Sequence, residues 1–159
     1  MKTISKTQKN WVEMQGFVGY PEHIVAEFGP WLRLSPAICM VWIITGTYLQ
    51  SYSVTLALVP FAILGAVLPM HPFDTIYNFG LRYLFHTAPI PRYPAPRRFA
   101  CVMATCWLLL TAGLFYFEMN FSGLISGYAL AAAAFSASVP GFCIPSFLFG
   151  LVMGKPSAS

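Results

Sequence analysis

Along this chain long apolar runs alternate with short polar breaks. A helix needs about 17–25 mostly apolar residues to cross about 30 Å of hydrocarbon. Four runs come close to or reach that length: about 34–49 ("LSPAICMVWIITGTYL"), 53–70, 99–117 and 122–139, the last continuing beyond "PG" as 142–153. Pro36 falls in the first turn of its run, where a missing N–H leaves no hydrogen bond unmade. The breaks "QSYS" and "EMN" suffice only for tight turns, so the runs pair as two helical hairpins. The pattern predicts an all-α membrane protein, a four-helix bundle over 34–154 with a cytoplasmic N-terminal segment, 1–33, and a cytoplasmic tail, 155–159. A soluble bundle is excluded because these runs have no polar face to hydrate.

Composition agrees with a lipid solvent. Of 159 residues 57% are hydrophobic and 9% charged, against roughly 45–50% and about 25% in ordinary globular chains. The net charge of +4 comes from few charges and forms no phosphate-neutralising stripe, so nucleic acid is not an expected partner. The cations are arranged, however. Lys2, Lys6, Lys9 and Arg33 precede the first span, Arg82, Arg92, Arg97 and Arg98 lie between the second and third, and Lys155 follows the fourth. The two tight turns carry none. Positive residues are retained in the cytoplasm on insertion, which predicts both termini and the central insert inside. The basic start leads into no short apolar core with a small-residue cleavage site, so no secretory signal is expected.

The insert between the hairpins, Met70 to Cys101, interrupts the apolar pattern with four arginines, two histidines and five prolines. Its first part, 72–86, reads as an amphipathic helix at the cytoplasmic membrane interface. Pro72 stands near the start and Asp74 in the first turn, where a carboxylate suits the positive end of the helix dipole. Asp74, Asn78, Arg82 and His86 recur every four residues and stack into one polar stripe, with aromatic and aliphatic residues on the remaining surface. Two readings stand: a stripe facing water with the aromatic face on the acyl chains, or a stripe facing a partner subunit or polar cavity. The following "TAPIPRYPAPRR" has too many prolines for a helix and predicts an extended strap. Arg92, Arg97 and Arg98 are expected at lipid phosphate depth as headgroup anchors; the alternative is an anion site using the guanidinium fork.

Candidate chemistry is sparse. Cys39, Cys101 and Cys143 all fall toward the cytoplasmic end by residue count, and His71 lies at the same level. They either converge on a thiol or metal site or pack as small hydrophobes. Cys143 follows Pro140-Gly141 and precedes Pro145, which puts it at a helix start, where the dipole favours a thiolate. The four cysteines have no paired spacing, so free thiols are expected. Gly123, Gly127 and Ala131 form a small-residue ridge that admits a close helix. Its expected partner is the third span, with Ala104 and Gly113 as the smaller positions; a neighbouring subunit or a pigment-like ligand is the alternative. No span carries an ionisable residue in its interior, so a transport path has no midplane site, and no catalytic motif appears.

"HPFD", "RRFAC" and "CIPS" resemble motifs of the domain-of-unknown-function family 4395, over about Pro36 to Gly154. The resemblance implies a four-helix bacterial membrane domain in the inner (cytoplasmic) membrane with no settled activity, and the sequence implies no particular cofactor. Family members often carry a second cysteine in the last motif, where this chain has Ser146, and the chain lacks an N-terminal Cys-Pro pair. No dithiol is therefore carried over. The expectation is a non-enzymatic accessory or structural subunit that contacts lipid and a membrane protein partner, or a second copy, through the insert and the ridge. A thiol-redox or metal-handling protein using Cys143 is the alternative, ahead of a small-solute transporter.

Overall fold

The computed structural model describes residues 5–154; Lys2 and the 155–159 tail lie outside them. Among the described residues all regular structure is helical. Seven helices occur in order: α1 (Lys6–Met14), α2 (Glu22–Tyr48), α3 (Tyr52–Val67), α4 (Pro72–Phe85), α5 (Ala95–Tyr116), α6 (Asn120–Ser138) and α7 (Ile144–Met153). Helices α2, α5 and α6 are each long and apolar enough to cross a membrane. Together α3 and α4 also satisfy that criterion, but they meet at 75° across the break at residues 68–71.

The helix limits reflect local chemistry. Pro72, Pro96 and Pro145 occupy first turns, where proline's fixed φ suits a helix and its lost donor is not needed. Ser51 caps α3 by accepting the Val54 N–H. Both tight turns close through a left-handed residue that is not glycine, Gln50 at φ 47° and Glu118 at φ 58°. Tyr52 packs on Tyr116 with ring centroids 5.5 Å apart, so the two turns share one end of the bundle.

At the opposite end, arginines close helix C-termini. Arg33 donates to the carbonyls of Val139 (2.8 Å) and Pro140 (3.3 Å) after α6. Arg98 donates to Val67 (2.6 Å) at the end of α3. A helix leaves its last carbonyls without partners and its C-terminus partly negative, so a guanidinium there satisfies both the acceptors and the dipole.

Two cores result. Ile43, Leu58, Val59, Ala62, Leu108, Leu130 and Ala131 pack between the long helices. Val12, Phe17, Val25, Phe28, Leu32, Tyr77, Ile90 and Tyr93 form a second core at the arginine end. The N-terminal segment is therefore half of a packed cap; α4 and the strap after it supply the other half. Around the bundle Val41, Ile44, Ile63, Leu109, Leu110 and Ile125 are exposed, an outer surface that water would not favour.

The small-residue ridge is used within the chain, with a different principal partner from the one expected. A Cβ on Gly127 would run into the Thr47 side chain of α2, and one on Gly123 would meet the Phe115 ring of α5. Gly113 faces open space. The ridge thus receives α2 at its middle and α5 only near its start, because α6 packs most extensively along the 34–48 part of α2.

Candidate functional site: a thiol-lined cavity beneath a buried arginine

The polar stripe does not stay together. Asp74 is 0% exposed and Asn78 is buried, whereas Arg82 is half-exposed and His86 exposed. The cause is a wide π turn at Tyr77–Leu81: an extra residue in the turn rotates the rest of the helix out of register. Of the buried pair, Asp74 accepts hydrogen bonds from the Ser35 and Tyr93 hydroxyls. Asn78 clamps the strap at one residue, accepting the Ile90 N–H (2.9 Å) and donating to the Ile90 carbonyl (3.1 Å). The extended, proline-rich strap has no ladder of its own, so this amide supplies partners that secondary structure would otherwise provide. Arg82 donates to the Tyr83 hydroxyl at 2.6 Å. The water-facing reading therefore fails for the first half of the stripe, and the chain's own interior takes the place of a partner.

Arg97 is no headgroup anchor either. It is 6% exposed, donates to the Gln15 side-chain oxygen and to the Leu32 carbonyl (2.6 Å), and lies over the Tyr93 ring at 4.7 Å. Gln15 in turn donates to the Gly141 carbonyl at 3.0 Å. One guanidinium thereby ties together the end of α1, the tight turn of α2 at Gly29–Arg33, the strap and the α6–α7 link. Arg92 is exposed and Arg98 partly so, and these two members of the trio remain open to solvent or headgroups. Burial holds the Tyr93 phenol above its ordinary range, so it remains an O–H donor to Asp74.

Beneath Arg97 a cavity of about 190 Å³ reaches into the bundle as far as Ile43, Leu58, Leu108 and Leu130. Cys39, Cys101, Cys143 and His71 all line it. The fourth cysteine, Cys106, is exposed elsewhere. His71 accepts the Phe73 N–H at Nδ1 (3.3 Å), which leaves the ring proton on Nε2. Burial, together with the Arg97 charge, pulls its pKa down to about 4, so the imidazole is neutral at pH 7. Gly65 makes room for it: a Cβ there would strike the His71 ring and stand 3.0 Å from the Cys101 sulfur. Ser146, three residues beyond Cys143, is fully buried and donates to the Pro96 carbonyl at 3.3 Å, fastening α7 to the start of α5. All four cysteines are free, and among the described residues no three His, Cys, Asp or Glu side chains are placed to share a metal ion.

Counting residues could place the thiols at one level but not on one wall. Gln15, Ser35, Tyr93 and Arg33 gave no signal as site residues, because their roles depend on contacts between segments distant in sequence.

The fold and cavity define an all-helical protein with helices fit to span a membrane, as a multi-pass membrane protein requires. The chain belongs to the family described as domain of unknown function (DUF4395), which matches residues 30–154. The match takes in α2 from residue 30 and every helix after it, and Gln15 alone of the cavity lining precedes it. Comparison with curated proteins and with solved structures found no match.

Proposed function

We propose that this chain is a four-span membrane protein, cytoplasmic at its arginine end, that works by holding a small ligand in the thiol-lined cavity. Its spans are α2, α3, α5 and α6. The observation that carries the reading is the convergence of Cys39, Cys101, Cys143 and His71 on one cavity that runs from the arginine end into the bundle. The function is binding rather than catalysis: the thiols sit in an apolar wall, where cysteine packs as a small hydrophobe with a weak S–H donor. Resident metal has no support from the placement of the ligating side chains.

The test is stoichiometric. In the Cys106→Ser protein, purified in mild detergent, a benzyl thiosulfonate reagent adds one benzylthio group as a mixed disulfide, with release of the sulfinate, after which the remaining cavity thiols are blocked. An apolar cavity of about 150 Å³ holds a single benzene ring, so about 190 Å³ does not hold two. Three independent adducts by mass spectrometry would overturn the reading.

An accessory subunit is the second reading, favoured by the outer face of α4. Ile76, Phe79, Tyr83 and Leu84 are exposed there on a helix set at 75° to α3. That face replaces the half-buried stripe as the contact surface, and a complex that survives native purification but is lost on Phe79→Ser and Leu84→Ser would support it.

A further inference from the structure

The geometry points to a small monocarboxylate with an apolar body as the ligand class of this cavity, its head on Arg97 and its body among the aliphatic side chains below. The inference deepens the cavity reading and rests on it. Arg97 is the starting point. Removing a guanidinium from water costs several kcal/mol unless a charge or a full set of acceptors replaces the solvent, and buried charges are ordinarily paired. Among the described residues the only ion pair is Lys9 with Glu22, at the surface. The buried carboxylate Asp74 is engaged by Ser35 and Tyr93 instead. A guanidinium carries five N–H donors in a planar fork, more than Gln15 and Leu32 consume. Arg97 thus lines the cavity as a buried cation outside any ion pair: the Asp74 charge reaches it only from across Tyr93, and guanidinium donors are left over for a ligand.

The rest of the wall selects the remainder of the ligand. From the arginine inward the lining is apolar, with Ile43, Leu58, Trp107, Leu108 and Leu130 at depth. Beyond the His71 Nε2–H, the wall offers a hydrated anion such as inorganic phosphate only weak S–H donors. A bilayer phospholipid is far larger than about 190 Å³. One ring or a short chain with a carboxylate matches both the volume and the bidentate preference of arginine. The bound molecule lies with its charge toward the arginine end and its body within the bundle, as an amphiphile entering from the membrane interface would.

Thiol protection in the Cys106→Ser protein measures this, using benzoate, benzamide, benzyl alcohol and inorganic phosphate as probes. Benzoate is expected to slow benzyl modification of the cavity cysteines at a concentration at least tenfold below that needed for benzamide or benzyl alcohol. That preference should vanish in Arg97→Gln. Should Arg97→Gln fail to fold, the wild-type comparison of benzoate with benzamide decides alone, since the two differ in charge but hardly in shape. Equal protection by the neutral probes would overturn the carboxylate assignment and leave the cavity reading standing. Protection by phosphate equal to that by benzoate would also overturn it, because the apolar body would then contribute nothing. Protection by no probe would overturn the carboxylate assignment, and three independent benzylthio adducts beside it would overturn the cavity reading as well. Ala104→Leu, which fills the apolar wall, should slow benzyl modification itself with no probe present, and an unchanged rate would overturn the cavity reading.

Discussion

Arg97 and Arg98 are neighbours in sequence and unlike in environment, and substitution should separate them. Arg97→Met leaves the Gln15 oxygen and the Leu32 carbonyl without their donor inside the cap and should cost about 3 kcal/mol, the scale of breaking a buried charged network. Arg98→Met removes a cap at the C-terminus of α3 and should cost about 1 kcal/mol. Denaturant unfolding in detergent, followed by circular dichroism, measures both. His71 gives a pH signature. Its folded-state pKa of about 4 lies below the about 6.5 of a free histidine, so at pH 7 the ring is neutral folded or unfolded and makes no linkage contribution. As pH falls from about 6.5 toward 4 only the unfolded chain takes up the proton, and stability falls by up to about 3 kcal/mol. His71→Gln should flatten that part of the pH profile; an unchanged slope would show that other groups produce it.

Glycines separate the helix contacts that matter from those that do not. Gly127→Val drives a branched side chain into Thr47, and overpacking of this kind costs about 1–3 kcal/mol. Gly113→Ala meets nothing within 4 Å and should stabilise α5 by about 0.5–1 kcal/mol, since alanine restricts the unfolded chain and favours helix. Thermal unfolding of the two variants in detergent should therefore move in opposite directions. The strap depends on Asn78. Asn78→Ala strands the Ile90 N–H and carbonyl, at a cost of about 2 kcal/mol, and should accelerate tryptic cleavage after the exposed Arg92. A cleavage rate equal to wild type would mean that the prolines hold the strap without the clamp.

For the whole molecule, separation of charge from tight turns yields a prediction about sidedness. Arg33 and Arg98 reach helix ends and Arg97 ties the cap at one end of the bundle, while the Tyr52–Tyr116 contact marks the other. With the arginine end cytoplasmic, a cysteine at Gln50 or Asn120 in a Cys106→Ser background should react with an impermeant maleimide from outside the cell. One at Arg92 should react only after the membrane is opened. Labelling of the Gln50 and Asn120 replacements from the cytoplasmic side alone would reverse the orientation.

Apolar runs and charge placement were legible without coordinates because burial in lipid demands unbroken hydrophobic length, a one-dimensional property. That is why the helical class, the tight turns at "QSYS" (50–53) and "EMN" (118–120), the strap and the family motifs could all be read from residue order. The fates of Asp74, Asn78 and Arg97 could not. Each looks like a surface group by type and spacing, and each is buried because partners from segments as distant as Gln15 and Ser35 converge on it. Periodicity also misled at α4, since the π turn at Tyr77–Leu81 breaks the four-residue stacking that a regular helix would have kept. The cavity belongs to the tertiary structure alone: Cys39, Cys101 and Cys143 reach one wall only through the crossing of α2, α5 and the start of α7. Its depth and shape depend on where side chains fail to fill space, which no pattern along the chain encodes.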